Sequence, residues 1–287
     1  MTLGAPFLGS VARARALRGQ PGFVDFSLDT RVGSELKVVA SSLLLSAQRR
    51  NLDSIVVTSA HRKEGKSVLA RNLAAAGEYI GQPVVLVDAG SGPPTTSQVL
   101  GIDESPGLAE VLEGDSPAQV LHYIPYADHG QVLVMSIGLN GFAGEPGRRV
   151  NEERRRNWVR ALHALEPTTP LIDAPALNEH PLAFQLASGG GLVVIASPRT
   201  TVADLEVLRT RAEIADVPVL GFVINEAPAR VRTYRGAGRA ARLTPTDPDR
   251  TRGLPALEPR IRPGSADRSR PPAEQVPPAA SRKGSRR

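Results

Sequence analysis

The chain has 287 residues, no cysteine and a hydrophobic content of 41%. This length suits one large α/β domain or two small domains, and the lack of cysteine excludes disulfides, iron–sulfur clusters and cysteine zinc sites. No apolar run approaches the roughly 20 residues that a membrane-spanning helix needs. Because no signal-peptide pattern is present either, we expect a cytoplasmic location.

The formal net charge of +6 is unevenly distributed along the chain. Residues 229–287 contain 15 Lys and Arg against 5 Asp and Glu, whereas residues 1–228 contain 20 basic and 24 acidic residues. The basic segment is rich in Pro and Arg and has no hydrophobic periodicity, which is typical of disorder. We therefore expect a flexible N-terminal segment at 1–30, a folded domain at 31–228 and a disordered basic tail at 229–287.

Hydrophobic spacing predicts alternating helices and strands between residues 34 and 224. In chain order these are helix 34–49, strand 54–59, helix 67–80, strand 83–88, helix 108–112, strand 131–135, helix 151–165, strand 171–173, strand 192–196, helix 202–215 and strand 217–224. Strands this apolar, alternating with helices, predict an α/β fold in which helices cover both faces of a parallel sheet.

Residues 60–67, between the first predicted strand and its helix, read AHRKEGKS. This matches the phosphate-binding pattern GxxxxGK[ST] except at Ala60. Lys66 would reach the β and γ phosphates and the Ser67 hydroxyl would bind Mg²⁺, while loop N–H groups surround the phosphates. The alternative is that residues 60–67 form an ordinary loop between a strand and a helix, with Lys66 as a surface lysine. The residues expected to bind nucleotide are Ala60, His61, Arg62, Lys63, Glu64, Gly65, Lys66, Ser67 and Val68.

Two acidic residues end predicted strands, at the edge where open α/β sheets bind ligands. Asp88 and Asp173 are expected to complete the Mg²⁺ shell with Ser67, and Asp88 is expected to act with Lys66 in catalysis. The alternative for each acid is a helix cap or a surface salt bridge. Asn225, after the last strand, either contacts an adenine edge or is a plain turn residue.

From about Glu35 to Asn225 the sequence resembles the bacterial tyrosine kinase family of capsule and exopolysaccharide synthesis, which is related to the partition and septum-site ATPases. The matching segments are the helix beginning at Glu35 and residues 58–60, 64–67, 85–88, 106–108, 171–175 and 220–225. The resemblance implies a P-loop NTPase fold of the deviant Walker type, with ATP and Mg²⁺ as cofactors. It also implies a membrane partner, namely a polysaccharide co-polymerase or chain-length regulator.

The sequence departs from this family in its second acidic motif. The family reads roughly Asp-x-Asp-x-Arg after the second strand, whereas residues 88–92 read DAGSG. Alternate residues of an extended segment point the same way, so this chain directs one carboxylate towards the phosphates instead of two. Loss of a positioned general base lowers a rate by about 10² to 10⁴. We expect kinase activity to be weak or lost, unless Asp103 or Glu104 substitutes.

Three further departures bear on substrate and assembly. The last tyrosine is Tyr234, so the family's C-terminal tyrosine cluster is missing. Val38 and Ser41 stand where the family's leading helix carries two arginines, which argues against ring formation but leaves another homo-oligomer open. His61 stands where partition ATPases carry a signature lysine.

The remaining cations have two interpretations each. Arg62 and Lys63 replace the family's Pro-Gly, and they either tighten nucleotide binding or are solvated. The basic tail is either a solvated disordered segment or an electrostatic contact with the anionic inner face of the cell membrane. Nucleic acid is not favoured, because the tail has a single aromatic residue, Tyr234, and no recognisable DNA-reading motif.

Taken together, these features favour an ATP-binding, tyrosine-kinase-like regulator of capsular or exopolysaccharide biosynthesis or export. Two alternatives stay open: an active protein-tyrosine kinase of polysaccharide synthesis, and a partition- or septum-type positioning ATPase.

Overall fold

The computed structural model describes residues 5–13, 17, 23–127, 130–139, 152–178, 180–187 and 189–227. Its helices and strands, in chain order, are β1 (Phe7–Ala12), α1 (Arg31–Arg49), β2 (Ile55–Ser59), α2 (Lys66–Tyr79), β3 (Val84–Asp88), α3 (Thr96–Leu100), α4 (Leu108–Glu113), β4 (Leu121–Tyr126), β5 (Gly130–Met135), α5 (Glu152–Ala164), β6 (Thr169–Asp173), α6 (Leu182–Leu186), β7 (Gly191–Ala196), α7 (Val202–Ile214) and β8 (Val219–Ala227). The basic tail lies outside the described residues, so its disorder stays a prediction.

The strands form one sheet in the order β1-β8-β7-β2-β6-β3-β5-β4. Every neighbouring pair is parallel except β4 and β5, which are antiparallel. Strands β2, β3 and β7 are buried along their whole length. They are mostly apolar because helices cover the sheet on both sides. Among the described residues, no helix combines the length and hydropathy needed to cross a bilayer.

The core has two parts, one on each face of the sheet. Ile55 and Val57 of β2 pack in the cluster that includes residues of α1 and α2. Val56, between them, packs on the opposite face in the cluster that includes Trp158 of α5 and Leu208 of α7. This alternation is the two-residue period of a strand. It confirms the expected α/β fold with helices on both faces.

All eleven predicted helices and strands are confirmed, with bounds that differ by at most three residues. The sequence analysis missed β1, β4, α3 and α6. Strand β1 lies within the segment 1–30 that was expected to be flexible, and it pairs in parallel with β8, with Ser10 opposite Ile224. Strand β4 makes the sheet mixed rather than purely parallel. Its connection to β5 is too short for a crossover, so the two strands form a hairpin.

Candidate functional site

Three loops meet at the carboxyl edge of the central strands β2, β6 and β3. They are the phosphate loop (residues 60–67) between β2 and α2, the glycine loop (residues 89–95) after β3, and residues 174–176 after β6. Together they enclose a cleft of about 220 Å³. Its lining residues are Arg62, Lys63, Gly65, Lys66, Ser67, Val68, Gly90, Ser91, Gly92, Pro93, Pro94, Thr95, Ala174, Pro175 and Ala176. The sheet edge is the one at which open α/β folds bind ligands.

Gly65 shapes the turn from the phosphate loop into α2. It caps the helix in the left-handed conformation, with φ of +87°. A Cβ atom at this position would lie 2.0 Å from Nδ2 of Asn225. That amide nitrogen donates a hydrogen bond to the carbonyl oxygen of Glu64 at 3.0 Å. Asn225 therefore lies within β8, not in a turn, and it supports the phosphate loop from behind without lining the cleft.

Glu64 is an internal anchor of the phosphate loop. Its side chain is buried, and its carboxylate accepts hydrogen bonds from the backbone N–H of His61 at 2.9 Å and from the Ser197 hydroxyl at 3.1 Å. The Thr200 hydroxyl donates a third, short hydrogen bond to it. The sequence analysis placed Glu64 and Ala60 among the nucleotide-binding residues. In the structure both are buried and neither lines the cleft.

His61 faces α7 instead of the cleft. Its Nε2 atom lies 2.9 Å from Oδ1 of Asp204. Asp204 also belongs to the capping box of α7, and the hydrogen bond from the Thr201 hydroxyl is the main cause that lowers the pKa of its carboxyl, with His61 acting in the same direction. His61, which occupies the position of the signature lysine of partition ATPases, is thus paired with a residue of α7 in the same chain.

Asp88 and Asp173 lie directly opposite each other on β3 and β6. Both are buried, but Asp88 is fully engaged by the protein. Its Oδ2 accepts hydrogen bonds from the backbone N–H and the hydroxyl of Ser97, each at 2.6 Å, and its Oδ1 accepts one from Gly90 at 2.9 Å. The contacts of Asp88 therefore hold the start of α3 and the glycine loop in place, and Asp88 does not line the cleft.

Asp173, like Asp88, does not itself line the cleft, but one of its carboxylate oxygens has no hydrogen-bond partner. Its Oδ2 accepts a hydrogen bond from the Thr96 hydroxyl at 2.7 Å, whereas Oδ1 is buried and makes no hydrogen bond of ordinary geometry within the described residues. Burial and the charge of Asp88 raise the pKa of Asp173 to about 6, and the nearby Ser67 hydroxyl and Lys66 act in the opposite direction. An unpartnered oxygen beside a serine hydroxyl fits the oxygen ligands that Mg²⁺ prefers.

The sequence analysis missed Arg71, a buried cation beside both acids. Burial lowers the pKa of its guanidinium, while Asp173 and Asp88 act in the opposite direction. Its Nη1 atom lies 3.4 Å from the Thr96 hydroxyl oxygen, which in turn donates to Asp173. The available signal was its position four residues after Ser67, on the same face of α2.

The other sequence-predicted residues divide into two groups. Arg62, Lys63 and Val68 line the cleft with Gly65, Lys66 and Ser67, and the carbonyl oxygen of Lys63 accepts a hydrogen bond from Arg199 at 3.0 Å. Asp103 and Glu104, the acids considered as substitutes for the missing carboxylate, are exposed and do not line the cleft.

Comparison with known proteins gives relatives of about 25% identity and no matching protein-family model. The chain is 25% identical over 188 residues to the tyrosine-protein kinase ptk of Acinetobacter johnsonii, a match that covers 63% of this chain and 24% of that protein. It is 25% identical over 174 residues to an uncharacterized ATP-binding protein of Methanocaldococcus jannaschii, which covers 60% and 63% of the two chains. The chain thus spans about a quarter of the length of the kinase relative.

Among solved structures, the kinase domain of the Escherichia coli tyrosine kinase ETK has the same fold. The TM-score is 0.65 at 18% identity, and the match covers 82% of this chain and 95% of that domain. The phosphate loop lies between β2 and α2, and Asp173 ends β6, as the motifs in the sequence predict. In sequence and in fold, the chain is thus similar to bacterial tyrosine kinases.

Proposed function

We propose that the chain binds ATP as its magnesium complex and serves as a tyrosine-kinase-like regulator whose own kinase activity is weak or lost. The observation that carries the nucleotide proposal is the buried, unpartnered Oδ1 of Asp173 beside Ser67 and Lys66, at the phosphate loop. The ATP-binding relative from Methanocaldococcus jannaschii supports the same nucleotide.

Each group at the cleft has a defined part in this proposal. Lys66 and the N–H groups at the start of α2 bind the phosphates, and the positive end of the helix adds to the attraction. Ser67 and Asp173 hold Mg²⁺, which when bound neutralises part of the phosphate charge. Arg71 offsets the charge of the two buried aspartates before the metal arrives. Asp88 acts as the support of α3.

The proposal of weak kinase activity follows from what surrounds the cleft. Its lining residues in the described part of the chain contain three cations and no carboxylate or histidine. Gly90 stands where the family carries its second acid, and both oxygens of Asp88 are engaged. A tyrosine hydroxyl entering this cleft would therefore meet no general base. A positioned general base raises the rate of such a reaction by about 10² to 10⁴.

The proposed partner is the membrane co-polymerase or chain-length regulator of a polysaccharide machine, at the cytoplasmic face of the membrane. The similarity to bacterial tyrosine kinases supports this partner, and the charge of residues 229–287 supports contact with an anionic surface. A partition-type role is not proposed, because His61 occupies the position of the signature lysine and pairs with Asp204.

Phosphotyrosine formation tests the kinase part of the proposal. The full chain is incubated with Mg-ATP and a tyrosine-containing copolymer, beside a family kinase domain that carries both acids. We expect phosphotyrosine at least about 100-fold below that domain, since the general base is missing. Robust phosphotyrosine that disappears in Lys66→Met would show that the chain is an active kinase.

A further inference from the structure

Arg62 reaches from the phosphate loop to the glycine loop on the other side of the cleft. A Cβ atom on Gly92 would lie 1.9 Å from Nη2 of Arg62 and 3.1 Å from its Cζ. The guanidinium therefore occupies the space that any side chain at position 92 would need. Arg62 and Gly92 both line the cleft.

The backbone gives no reason for glycine at position 92. Gly92 does not have the positive φ that would favour glycine over other residues. A Cβ atom on Gly90, in the same loop, would meet only Asp88 Oδ1 at 3.1 Å and Thr95 at 3.9 Å. Within the glycine loop the closest approach is at position 92, and a methyl group there would force the end of the exposed Arg62 side chain to move.

The chemistry of the cleft identifies what this guanidinium would bind. Arg62, Lys63 and Lys66 bring three positive charges to one cleft, and the described residues that line it contribute no negative side chain. The planar fork of an arginine donates paired hydrogen bonds to phosphate oxygens, unlike the point charge of a lysine. The glycine loop follows Asp88, which lies opposite Asp173, so Arg62 is on the metal side of the cleft.

We propose that Arg62 binds the terminal phosphate of a nucleoside triphosphate in this cleft, and that Gly92 provides the space for it. The inference rests on the proposed function, since it assigns a residue to ATP already bound by Lys66 and Ser67. Mg²⁺ would be held on the Asp173 side of the cleft, and Arg62 lies on that same side, where it would add a positive charge at the terminal phosphate. Arg62 then distinguishes the triphosphate from the diphosphate.

The test measures the affinities of the full chain for Mg-ATP and Mg-ADP by calorimetric titration. Arg62→Gln removes the charge, and Gly92→Ala displaces the guanidinium while leaving it in the chain. We expect each variant to weaken Mg-ATP about tenfold and Mg-ADP by less than about threefold, since charge-assisted hydrogen bonds to the γ phosphate are lost.

Two comparison variants separate this effect from general disturbance. Gly90→Ala adds the same methyl group to the same loop without meeting Arg62, so its effect on Mg-ATP should be smaller than that of Gly92→Ala. Arg209→Gln removes an exposed arginine of α7 that pairs with Glu213, and it should bind ATP like the wild type. Melting temperatures show which variants are folded. If Gly92→Ala does not fold, the affinities of Arg62→Gln for Mg-ATP and Mg-ADP test the role of Arg62 alone.

Three results would overturn the inference: wild-type affinity for Mg-ATP in Arg62→Gln, equal losses for ATP and ADP, or equal effects of Gly92→Ala and Gly90→Ala. Failure of the wild type to bind Mg-ATP would be a different result, because it would remove the proposed function itself.

Discussion

Two aspartates at equivalent positions on adjacent strands have different surroundings, and this difference defines the candidate metal site. Asp88 accepts three hydrogen bonds from the protein, which leaves neither oxygen without a partner. Asp173 accepts one from Thr96 and keeps Oδ1 unpartnered. Burial and the charge of Asp88 favour the neutral form of Asp173, so its pKa is raised.

The raised pKa of Asp173, about 6, predicts how the metal site responds to pH. An acid whose pKa is raised by folding stabilises the ligand-free fold fully below the unfolded value, near 4, and that contribution is lost as pH rises through about 6. Mg²⁺ needs the ionised carboxylate, so its binding strengthens over the same interval. We therefore expect Mg²⁺ to increase the ADP-induced rise in melting temperature at pH 7.5 and to have little effect at pH 5.

Asp173→Asn is the control for this pH dependence. The amide has a similar shape but does not titrate, so the Mg²⁺-dependent part of the stabilisation should be small at both pH values. A Mg²⁺ effect of the same size at pH 5 and pH 7.5 in the wild type would mean that Asp173 does not hold the metal.

Individual residues were predictable from the sequence where a motif fixes their backbone position. Lys66 and Ser67 follow from the phosphate-loop pattern, and Asp173 follows from its place at the end of a strand. Glu64 and Asn225 were assigned to the nucleotide, whereas their side chains hold the loop. The Ser197–Glu64 and Asn225–Glu64 hydrogen bonds join residues that are 133 and 161 positions apart in the chain. No local pattern in the sequence indicates contacts over such separations.

At the scale of elements, β8 and the segment after β7 hold the phosphate loop in place. Asn225 of β8 donates to the carbonyl oxygen of Glu64, and Ser197 and Thr200 after β7 donate to its carboxylate. The loop can therefore keep the shape that phosphate binding requires before any ligand is present. Within the loop we expect Gly65 to tolerate substitution least, because its backbone is left-handed and a Cβ atom there would contact Asn225.

Gly65→Ala and Gly81→Ala form a matched pair that measures this support. Both glycines flank α2 with positive φ, but a Cβ atom on Gly81 would meet nothing within 4 Å. Gly81→Ala should lower the free energy of unfolding by about 1 kcal/mol, the cost of the left-handed backbone. Gly65→Ala should lower it by about a further 1–3 kcal/mol, because the methyl group displaces Asn225.

Urea unfolding of the full chain measures both losses. Gly65→Ala should also weaken Mg-ATP binding, whereas Gly81→Ala should affect stability alone. Equal losses of stability in the two variants would show that Asn225 moves aside without consequence and does not support the loop.

Elements were predictable where their own residues bury a face, as in β2 and α1. Strands β1 and β4 were missed because they lie at the two edges of the sheet, where one neighbour supplies the pairing and the side chains need not be apolar throughout. β4 contains His122, the exposed Tyr123 and Pro125. Proline is disfavoured in a central strand, because it cannot donate a hydrogen bond to a neighbouring strand. The short helices α3 and α6 have five residues each, too few to show a helical period.

At the scale of the whole molecule, the net charge of +6 conceals two opposite distributions. Residues 1–228 carry more acidic than basic side chains, yet the cleft between β2, β3 and β6 is lined by three cations. The described lining of the cleft thus carries three positive side chains and no negative one, which suits the phosphates of a nucleotide. A glycine loop stands at the position where the kinases that the sequence resembles carry their second acidic motif.

The central claim is that this cleft binds ATP through Lys66 and a Mg²⁺ site that includes Asp173. Its most direct test is calorimetric titration of the full chain with ATP, with and without Mg²⁺, beside Lys66→Met. We predict saturable binding that is stronger with Mg²⁺ and at least about tenfold weaker in Lys66→Met, since a charged contact to the phosphates is lost. Absence of binding, or equal affinity in Lys66→Met, would contradict the claim.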